Sequence, residues 1–406
     1  MDHDSTQQMV IERVEKLLGD YPPASTDPIT FLRAQYDAGL AWVYFPEGWG
    51  GLGVTPDLQD LVDTRLSRAG APPSGRATNA IAAGQGAATV VAFGSDDQKQ
   101  RYLRPLFTAE LMGCQLYSEP GSGSDLASLA TRAVRDGDEW VVNGQKVWTS
   151  GAHRAQWAIV LARTDPDVVK HAGLTQFVLD MTDPGVTVRP LRQMSGGVEF
   201  NEVFLNDVRI PDSERLGGIG EGWAVSQHTL IYERYNMPRP PGRGEGPIAP
   251  VMEAWQARAD KTSPAAIALK AELMRHWVDA EVLRLLQLRA SVARAQGKTG
   301  AEGSLGKLAF SVLIRRLNEW APVLLGADGM LIDSYDASDH FGAPVTRRNG
   351  FQGAYALQKA CVQSPGMAIA GGTDEIQRNI IGDRVLGLPR EPDPAKGLPW
   401  SQTLRS

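Results

Sequence analysis

The spacing of hydrophobic positions changes twice along this chain, and the changes mark off three parts. From Met1 to about Met112 apolar residues recur with a period near 3.6: Val10, Val14, Leu17 and Leu18 share one face of a first helix, and Phe31, Leu32, Tyr36 and Leu40 share one face of a second. The second helix is expected to stop at Phe45-Pro46. The run Glu47-Gly48-Trp49-Gly50-Gly51-Leu52-Gly53 cannot continue a regular element, so it reads as a packed turn between helices, and Pro56 opens a further helix. Helices are also expected over 77–93 and 96–107.

From Gly113 to Pro211 the period falls to about 2. Glu139-Trp140-Val141-Val142 and Gln145-Lys146-Val147-Trp148 flank Asn143-Gly144, the pattern of a two-residue hairpin turn. Further strands are expected over 157–162, 175–180, 186–191 and 199–211, which makes a compact β domain. From Gly222 onward the helical period returns in longer segments, over 223–236, 264–296, 303–325, 354–363 and 374–386. The last begins at Thr373 as N-cap, carries Asp374 and Glu375 in its first turn, and stops at Gly387 with Pro389 beyond. Carboxylates there already occupy the positive end of the helix, so this turn is expected to offer N–H and hydroxyl groups rather than hold a pyrophosphate unaided. The Pro/Gly/Arg-rich stretch between Met237 and Pro250 reads as loop or disorder.

Length and composition narrow the class. At 406 residues two or three domains are expected. The net charge of -6, spread without long runs, argues against a nucleic-acid partner and leaves a small molecule as the default ligand. The two cysteines, Cys114 and Cys361, have neither metal spacing nor a disulfide framework, so no metal site is expected and a reducing compartment is. The first twenty residues are polar and charged, unlike an export signal, and no apolar run approaches the roughly 18 residues of a membrane span. A cytoplasmic location without membrane contact is the expectation.

Three segments carry candidate chemistry. Gln115-Leu116-Tyr117-Ser118-Glu119-Pro120-Gly121-Ser122-Gly123-Ser124-Asp125 interleaves glycine with serine, so its backbone can approach a ligand closely and offer N–H and hydroxyl donors. It lacks both the ending of a P-loop and the spacing of a dinucleotide-binding turn. Asn143-Gly144-Gln145-Lys146-Val147-Trp148-Thr149-Ser150-Gly151 follows, and near the C-terminus comes Ala370-Gly371-Gly372-Thr373-Asp374-Glu375-Ile376-Gln377-Arg378-Asn379. In that order and position the three resemble the acyl-CoA dehydrogenase family, and the resemblance covers nearly the whole chain.

The resemblance implies an α+β multidomain fold: an α-helical N-terminal domain (1–112), a small central β-barrel or sandwich domain (113–214) and a C-terminal helical bundle (215–406). It implies FAD as cofactor. Matched residue by residue, Gln115, Leu116, Tyr117, Ser118, Gly123, Ser124, Trp148, Thr149 and Ser150 would line the flavin, with Ser118 near its reactive edge, and Thr373 and Glu375 would contact FAD from the last helix. Ser124 and Gly372 would also meet the acyl-CoA. Taken alone, Trp148 reads as a buried strand aromatic.

The chemistry so implied needs a carboxylate to remove the α-proton of a thioester while the flavin takes the β-hydride, with hydrogen bonds to the thioester carbonyl stabilising enolate-like charge. Many members place that base where this chain has Gly371, which has no side chain. Isovaleryl- and long-chain-type members supply it from the first bundle helix in a Leu-x-x-Glu-Arg segment, which Leu230-Ile231-Tyr232-Glu233-Arg234 resembles. Glu233 is therefore the candidate base, with Tyr232 and Arg234 beside the substrate; a solvated helix acid is the alternative.

Two segments depart from the family pattern. The Arg-x-x-Phe-Gly segment that helps hold the adenine end of FAD is replaced by the loop after Met237, and the Gln-x-x-Gly-Gly-x-Gly segment reads Val323-Leu324-Leu325-Gly326-Ala327-Asp328-Gly329. Three readings stay open: a dehydrogenase of lipid metabolism passing electrons to an electron-transfer flavoprotein, an oxidase or monooxygenase on the same fold, and a non-catalytic subunit of a heteromeric dehydrogenase. Kinship implies a homotetramer, with a hetero-oligomer as the alternative.

Overall fold

The computed structural model describes residues 3–235, 241–295, 302–330 and 353–403. They form two compact units, one of residues 1–191, 199–236 and 394–406, the other of 192–198 and 237–393.

The first unit opens with helices α1 (His3–Asp20), α2 (Pro28–Asp37), α3 (Leu58–Arg68), a single turn α4 (Gly75–Thr78), a π-helical stretch Ile81–Gly86, α5 (Ala87–Phe93) and α6 (Asp96–Thr108). Their boundaries follow local chemistry. Asp27 caps α2 by accepting from the Thr30 N–H with Pro28 at the first position. Ser95 and Gln98 form a reciprocal capping box on α6. The glycine-rich loop is a packed turn, as expected: a Cβ on Gly51 would lie 2.0 Å from the Phe45 carbonyl oxygen. The expected helix over 77–93 is instead broken, passing from α4 through the π-helical stretch into α5. There the Gly86 Cβ position would meet the Trp157 ring at 2.9 Å.

Eight strands follow: β1 (Gly113–Leu116), β2 (Arg132–Asp136), β3 (Glu139–Ser150), β4 (Trp157–Arg163), β5 (Leu174–Asp180), β6 (Val186–Leu191), β7 (Phe200–Pro211) and β8 (Arg215–Leu216). They form one mixed sheet ordered β6-β7-β3-β2-β4-β5-β8, with β1 parallel to β4. Strand β4 explains why helices and sheet cohere. Trp157, Ile159 and Leu161 point into the helical core with Trp42, Phe31 and Phe107, whereas Ala158, Val160 and Ala162 point into the sheet's own core with Phe177 and Trp140.

The Asn143-Gly144 hairpin does not exist. Strand β3 runs straight through both residues, and the reversal lies at Gly137-Asp138, where Asp136 pairs with Glu139 and Gly137 takes φ +64°. The bulge at this point belongs to β7, where Asn206 and Asp207 together stand opposite Asn143. The Asn143 amide donates to Asp207 Oδ1 and its carbonyl oxygen accepts from the Asp207 N–H. A Cβ on Gly144 would lie 2.3 Å from Thr131 Oγ1, so the glycine serves close strand approach rather than a turn. Strands β1 and β2 were not expected; both are short, and β2 is exposed at four of five positions.

Helix α7 (Gly222–Tyr235) closes the unit. A Cβ on Gly222 would fall 2.7 Å from the backbone of Leu174 and Thr175, which seats the start of α7 directly on β5. Thr229 Oγ1 meets Thr89 Oγ1 at 2.8 Å in a fully buried contact with α5. The second unit holds α8 (Ala249–Ala257), α9 (Pro264–Ala295), α10 (Glu302–Leu325), α11 (Gly353–Gln363) and α12 (Asp374–Arg384), packed around Val251, Ala266, Leu273, Leu317 and Ala321. Helix α8 was not expected, and part of the Pro/Gly/Arg stretch before it, 237–240, lies outside the described residues.

Candidate functional site

The first motif leaves β1 and turns at once. The backbones of Glu119 and Ser122 exchange two hydrogen bonds, of 2.8 and 3.0 Å, closing a tight turn that leaves Pro120, Gly121, Gly123 and Ser124 exposed. The Ser122 hydroxyl donates to the Asp125 carbonyl oxygen at 2.6 Å, and the Asp125 carboxylate accepts from Ser128 and Lys170. Behind this loop the Leu116 and Tyr117 side chains are buried, the Tyr117 hydroxyl donating to Gln176 at 2.7 Å. Gln115 and Ser118 are half-buried.

The first two motifs are joined by an ion pair that no local pattern announces. Lys146 Nζ, wholly buried, donates to Glu119 Oε1 at 2.8 Å, to the Leu161 carbonyl at 2.8 Å and to the Tyr117 carbonyl at 3.1 Å. Glu119 in turn accepts from the N–H groups of Ala130 and Thr131. Burial works against the charge on Glu119, but Lys146 and the Ala130 N–H outweigh it and hold the carboxyl below its ordinary value. Burial also pulls the Lys146 ammonium down, with Glu119 opposing. Next to this pair the Val147 N–H donates to the Ser118 carbonyl, which fixes β3 beside the motif loop.

Beyond Lys146 the ladder with β7 slips, and at the slip Trp148 stands with φ +60° and 60% exposure. A bulky residue in the left-handed region is strained, and such strain concentrates where a ligand is received. Phe200 is edge-on to its ring at 6.0 Å. The alternative reading of Trp148 as a buried strand aromatic does not hold, since the slip turns this side chain outward. Thr149 is the reverse case: it is buried, and its hydroxyl has no hydrogen-bond partner among the described residues. Trp148 thus offers an outward aromatic face and Thr149 a buried hydroxyl left without a partner, and the isoalloxazine of a flavin, flat and hydrogen-bonding, fits that donor set. Ser150 is half-buried at its end.

Helix α7 carries Tyr232, whose ring lies 4.8 Å from that of His228 and packs on the helical core. Glu233 and Arg234 belong to the same helix, and their side chains lie outside the described residues.

In the second unit, Gly371 and Gly372 both take positive φ, 66° and 86°, and bring the chain into the Thr373 cap, whose hydroxyl accepts from the Ile376 N–H at 3.2 Å. The Gln377 amide ties the turn by donating to the Gly371 carbonyl. Asp374 and Glu375 do not share one role at the helix end. Asp374 turns inward, buried, and meets Lys307 Nζ at 3.1 Å and Arg315 Nη2 at 3.2 Å; Glu375 stays exposed beside Arg378. Burial opposes ionisation of Asp374, yet its bonded partners hold its carboxyl below the ordinary value. Lys307 and Arg315 stand eight residues apart on one row of α10, a spacing visible in the sequence although their partner was not. Among the described residues no cluster of metal-ligating side chains occurs, and no helix is long and apolar enough to cross a membrane.

Comparison with known proteins gives this geometry its context. Family models for the N-terminal, middle and C-terminal domains of acyl-CoA dehydrogenases match residues 2–110, 114–208 and 220–386. The acyl-CoA dehydrogenase IpdE1 of Mycobacterium tuberculosis is 36% identical over 365 residues, covering 89% of this chain and 87% of the relative. Among solved structures, the ChsE4-ChsE5 complex of M. tuberculosis aligns with a TM-score of 0.68 at 26% identity over 96% of this chain and 98% of that one. The steroid acyl-CoA dehydrogenase Tcur3481-Tcur3483 aligns at 0.69 and 25% over 96% of this chain and 99% of that one. With its helices, mixed sheet and motifs in register with all three domain models, the chain belongs to the acyl-CoA dehydrogenase family, a family of oxidoreductases.

Proposed function

We propose that this chain is an FAD-dependent acyl-CoA dehydrogenase that introduces an α,β double bond into an acyl-CoA thioester and delivers electrons to an electron-transfer flavoprotein in the cytoplasm. The observation that carries the reading is the pairing of the outward Trp148, held in a strained backbone, with the buried and unpartnered Thr149 hydroxyl. When bound, the flavin supplies a two-electron acceptor. Trp148 and Thr149 are the residues that would hold its ring, and the half-buried Gln115 and Ser118 would add polar contacts. The exposed Gly123-Ser124 turn is open to an acyl-CoA. Thr373 and Glu375 are assigned FAD contacts, and Gly372, Tyr232 and Arg234 substrate contacts, on motif matching alone. Glu233 is the residue that would take the α-proton of the thioester. The parts 1–112, 113–214 and 215–406 are the proposed working domains.

The substrate class offered is a CoA thioester of a bulky acyl group, since one solved relative is named as a steroid enzyme. The altered segments at the adenine end support a second reading, in which FAD is held jointly with a different chain of the same family. The ChsE4-ChsE5 complex, whose name joins two proteins, is in keeping with it. An anaerobic visible spectrum of wild type and Glu233→Gln, before and after steroid-bearing and straight-chain acyl-CoAs, tests both. Bleaching in wild type alone supports the dehydrogenase and its base. A colourless protein rejects the single-chain reading, and equal bleaching in the variant rejects Glu233.

A further inference from the structure

Residues 394–403 belong with the first unit, although α12 before them belongs with the second. A segment that follows the last helix of a domain is poorly ordered unless something ties it down, and here the ties are specific. The Trp400 N–H donates to the Val168 carbonyl and the Ser401 N–H to the Pro166 carbonyl, both at 2.8 Å; Val169 bridges Pro399 antiparallel, and the Ser401 hydroxyl donates to Asp167 at 3.1 Å. Pro394 and Pro399 limit the conformations open to the free segment, and the Leu398 N–H donates to the Ala395 carbonyl in a turn where Gly397 takes φ 83°, so little freedom is lost on docking.

The Trp400 side chain continues these contacts inward. It is 6% exposed, and its ring lies on the Arg163 guanidinium at 4.2 Å. Arg163, 3% exposed at the end of β4, donates to the carbonyls of Ala127 at 2.6 Å, Leu129 at 3.1 Å and Lys170 at 3.1 Å. The Trp400 indole N–H takes the carbonyl between the first two, that of Ser128, at 3.2 Å. The successive carbonyls of Ala127, Ser128 and Leu129, just behind the first motif, are thus held by these two side chains. Lys170 reaches forward from the same β4–β5 loop, its ammonium 2.9 Å from both carboxylate oxygens of Asp125, whose carbonyl accepts from Ser122. The segment, the loop and the motif turn therefore form one connected set. It ends on the turn that leaves Gly123 and Ser124 exposed. A loop receives a ligand best when a rigid support fixes it, and Trp400 supplies that support from more than 200 residues away in sequence.

We propose that residues 394–403 act as a strap that holds the Gly123-Ser124 turn in the shape that receives an acyl-CoA, with Trp400 as the positioning residue. The inference rests on the reading of this turn as open to the thioester, and it adds a determinant of acyl-CoA affinity separate from the flavin contacts. Trp400 acts through Arg163 and the β4–β5 loop, so its loss should weaken acyl-CoA binding and leave flavin in place.

The test compares the full chain as wild type, Trp400→Ala and Trp400→Phe, by amide hydrogen exchange and by calorimetric titration with a non-reacting thioether analogue of an acyl-CoA. Trp400→Ala should speed exchange about tenfold across 123–130 and 166–172 and weaken the analogue about tenfold, while flavin affinity stays within about twofold. Turnover should show the loss in KM with kcat held. Trp400→Phe keeps a ring on Arg163 and gives up the indole bond, so it should return both readouts to within about threefold of wild type. If Trp400→Ala fails to fold, Ser401→Pro decides: at an exposed position it withdraws the N–H bound to the Pro166 carbonyl, and both readouts should move in the same direction. Unchanged exchange, or flavin affinity that falls in step with the analogue, overturns the strap. Faster exchange with unchanged analogue affinity overturns its link to the ligand. A wild type that binds no acyl-CoA analogue removes the proposed function and the ligand together, and that failure is seen without any variant.

Discussion

Replacing Lys146 by methionine isolates what joins the first two motifs. Methionine keeps most of the volume and removes the ammonium, so packing is nearly conserved while three hydrogen bonds vanish. The carbonyls of Tyr117 and Leu161 lose a buried donor, and Glu119 keeps its two N–H donors but loses its counter-charge. Removing one partner of a buried ion pair costs about 3–5 kcal/mol, and the full range applies here because Lys146 and Glu119 are 0% and 7% exposed. Adding Glu119→Gln should recover about 1–2 kcal/mol, since a neutral amide still accepts from the backbone and needs no counter-charge.

The assay is urea unfolding followed by far-UV circular dichroism and tryptophan fluorescence, with the first unit's transition as the readout. The effect should depend on pH in a defined sense. Glu119 is held below its ordinary 4.5 in the folded chain, so the pair's contribution is complete above that value and is lost as pH falls through the lower folded one. The gap between wild type and Lys146→Met should therefore narrow in acid. A loss under about 1 kcal/mol at pH 7, or a double variant whose cost is the sum of the singles, would refute the account.

Three further outcomes follow from the same geometry. Thr149→Val should leave the flavin-free chain at least as stable, because the hydroxyl it removes has no partner among the described residues, while flavin affinity by fluorescence titration falls about tenfold. Trp148→Gly should relieve about 1 kcal/mol of left-handed strain and expose little core, so the melting temperature holds while flavin is lost; a drop of more than a few degrees would show that the ring is structural. Asp374→Asn should cost about 1–3 kcal/mol in the second unit's unfolding and loosen the Thr373 turn. Because Asp374 is held below its ordinary 3.8, the wild-type advantage should be present above that value and fade as pH drops beneath it.

The helix, sheet, helix order could be read from the sequence because the helical face of Val10, Val14 and Leu17 repeats over several turns, and because the short apolar run from Trp157, too short for an ordinary helix, reads as a strand by length. The three motifs could be read because they are local. What escaped was set by distance. Lys146 and Glu119 stand 27 residues apart, and Asp374 lies 67 from Lys307, so neither pairing has a local sign. Glu233 was placed on its helix, and its role rests on the proposal.

The Asn143-Gly144 error shows how a strong local signal loses to tertiary structure, and why the site depends on its losing. A reversal there would have ended the strand three residues before Lys146. Because Gly144 is instead spent on close approach to Thr131, and Asn143 on bonds to Asp207, β3 continues for 12 residues and keeps one register against β2 before the bulge. Continuity is what carries Lys146 inward to Glu119 and, two residues on, carries Trp148 outward at the second slip. The two irregularities of the β3–β7 ladder thus divide the labour: the first falls on β7 and leaves β3 continuous, and the second falls on β3 and breaks its alternation where a ligand surface is wanted. Filling the first, by Gly144→Val, should push β3 from Thr131 and lower flavin affinity without touching any flavin-facing side chain. Retained affinity in a stable Gly144→Val variant would show that Trp148 and Thr149 are positioned by the second slip alone.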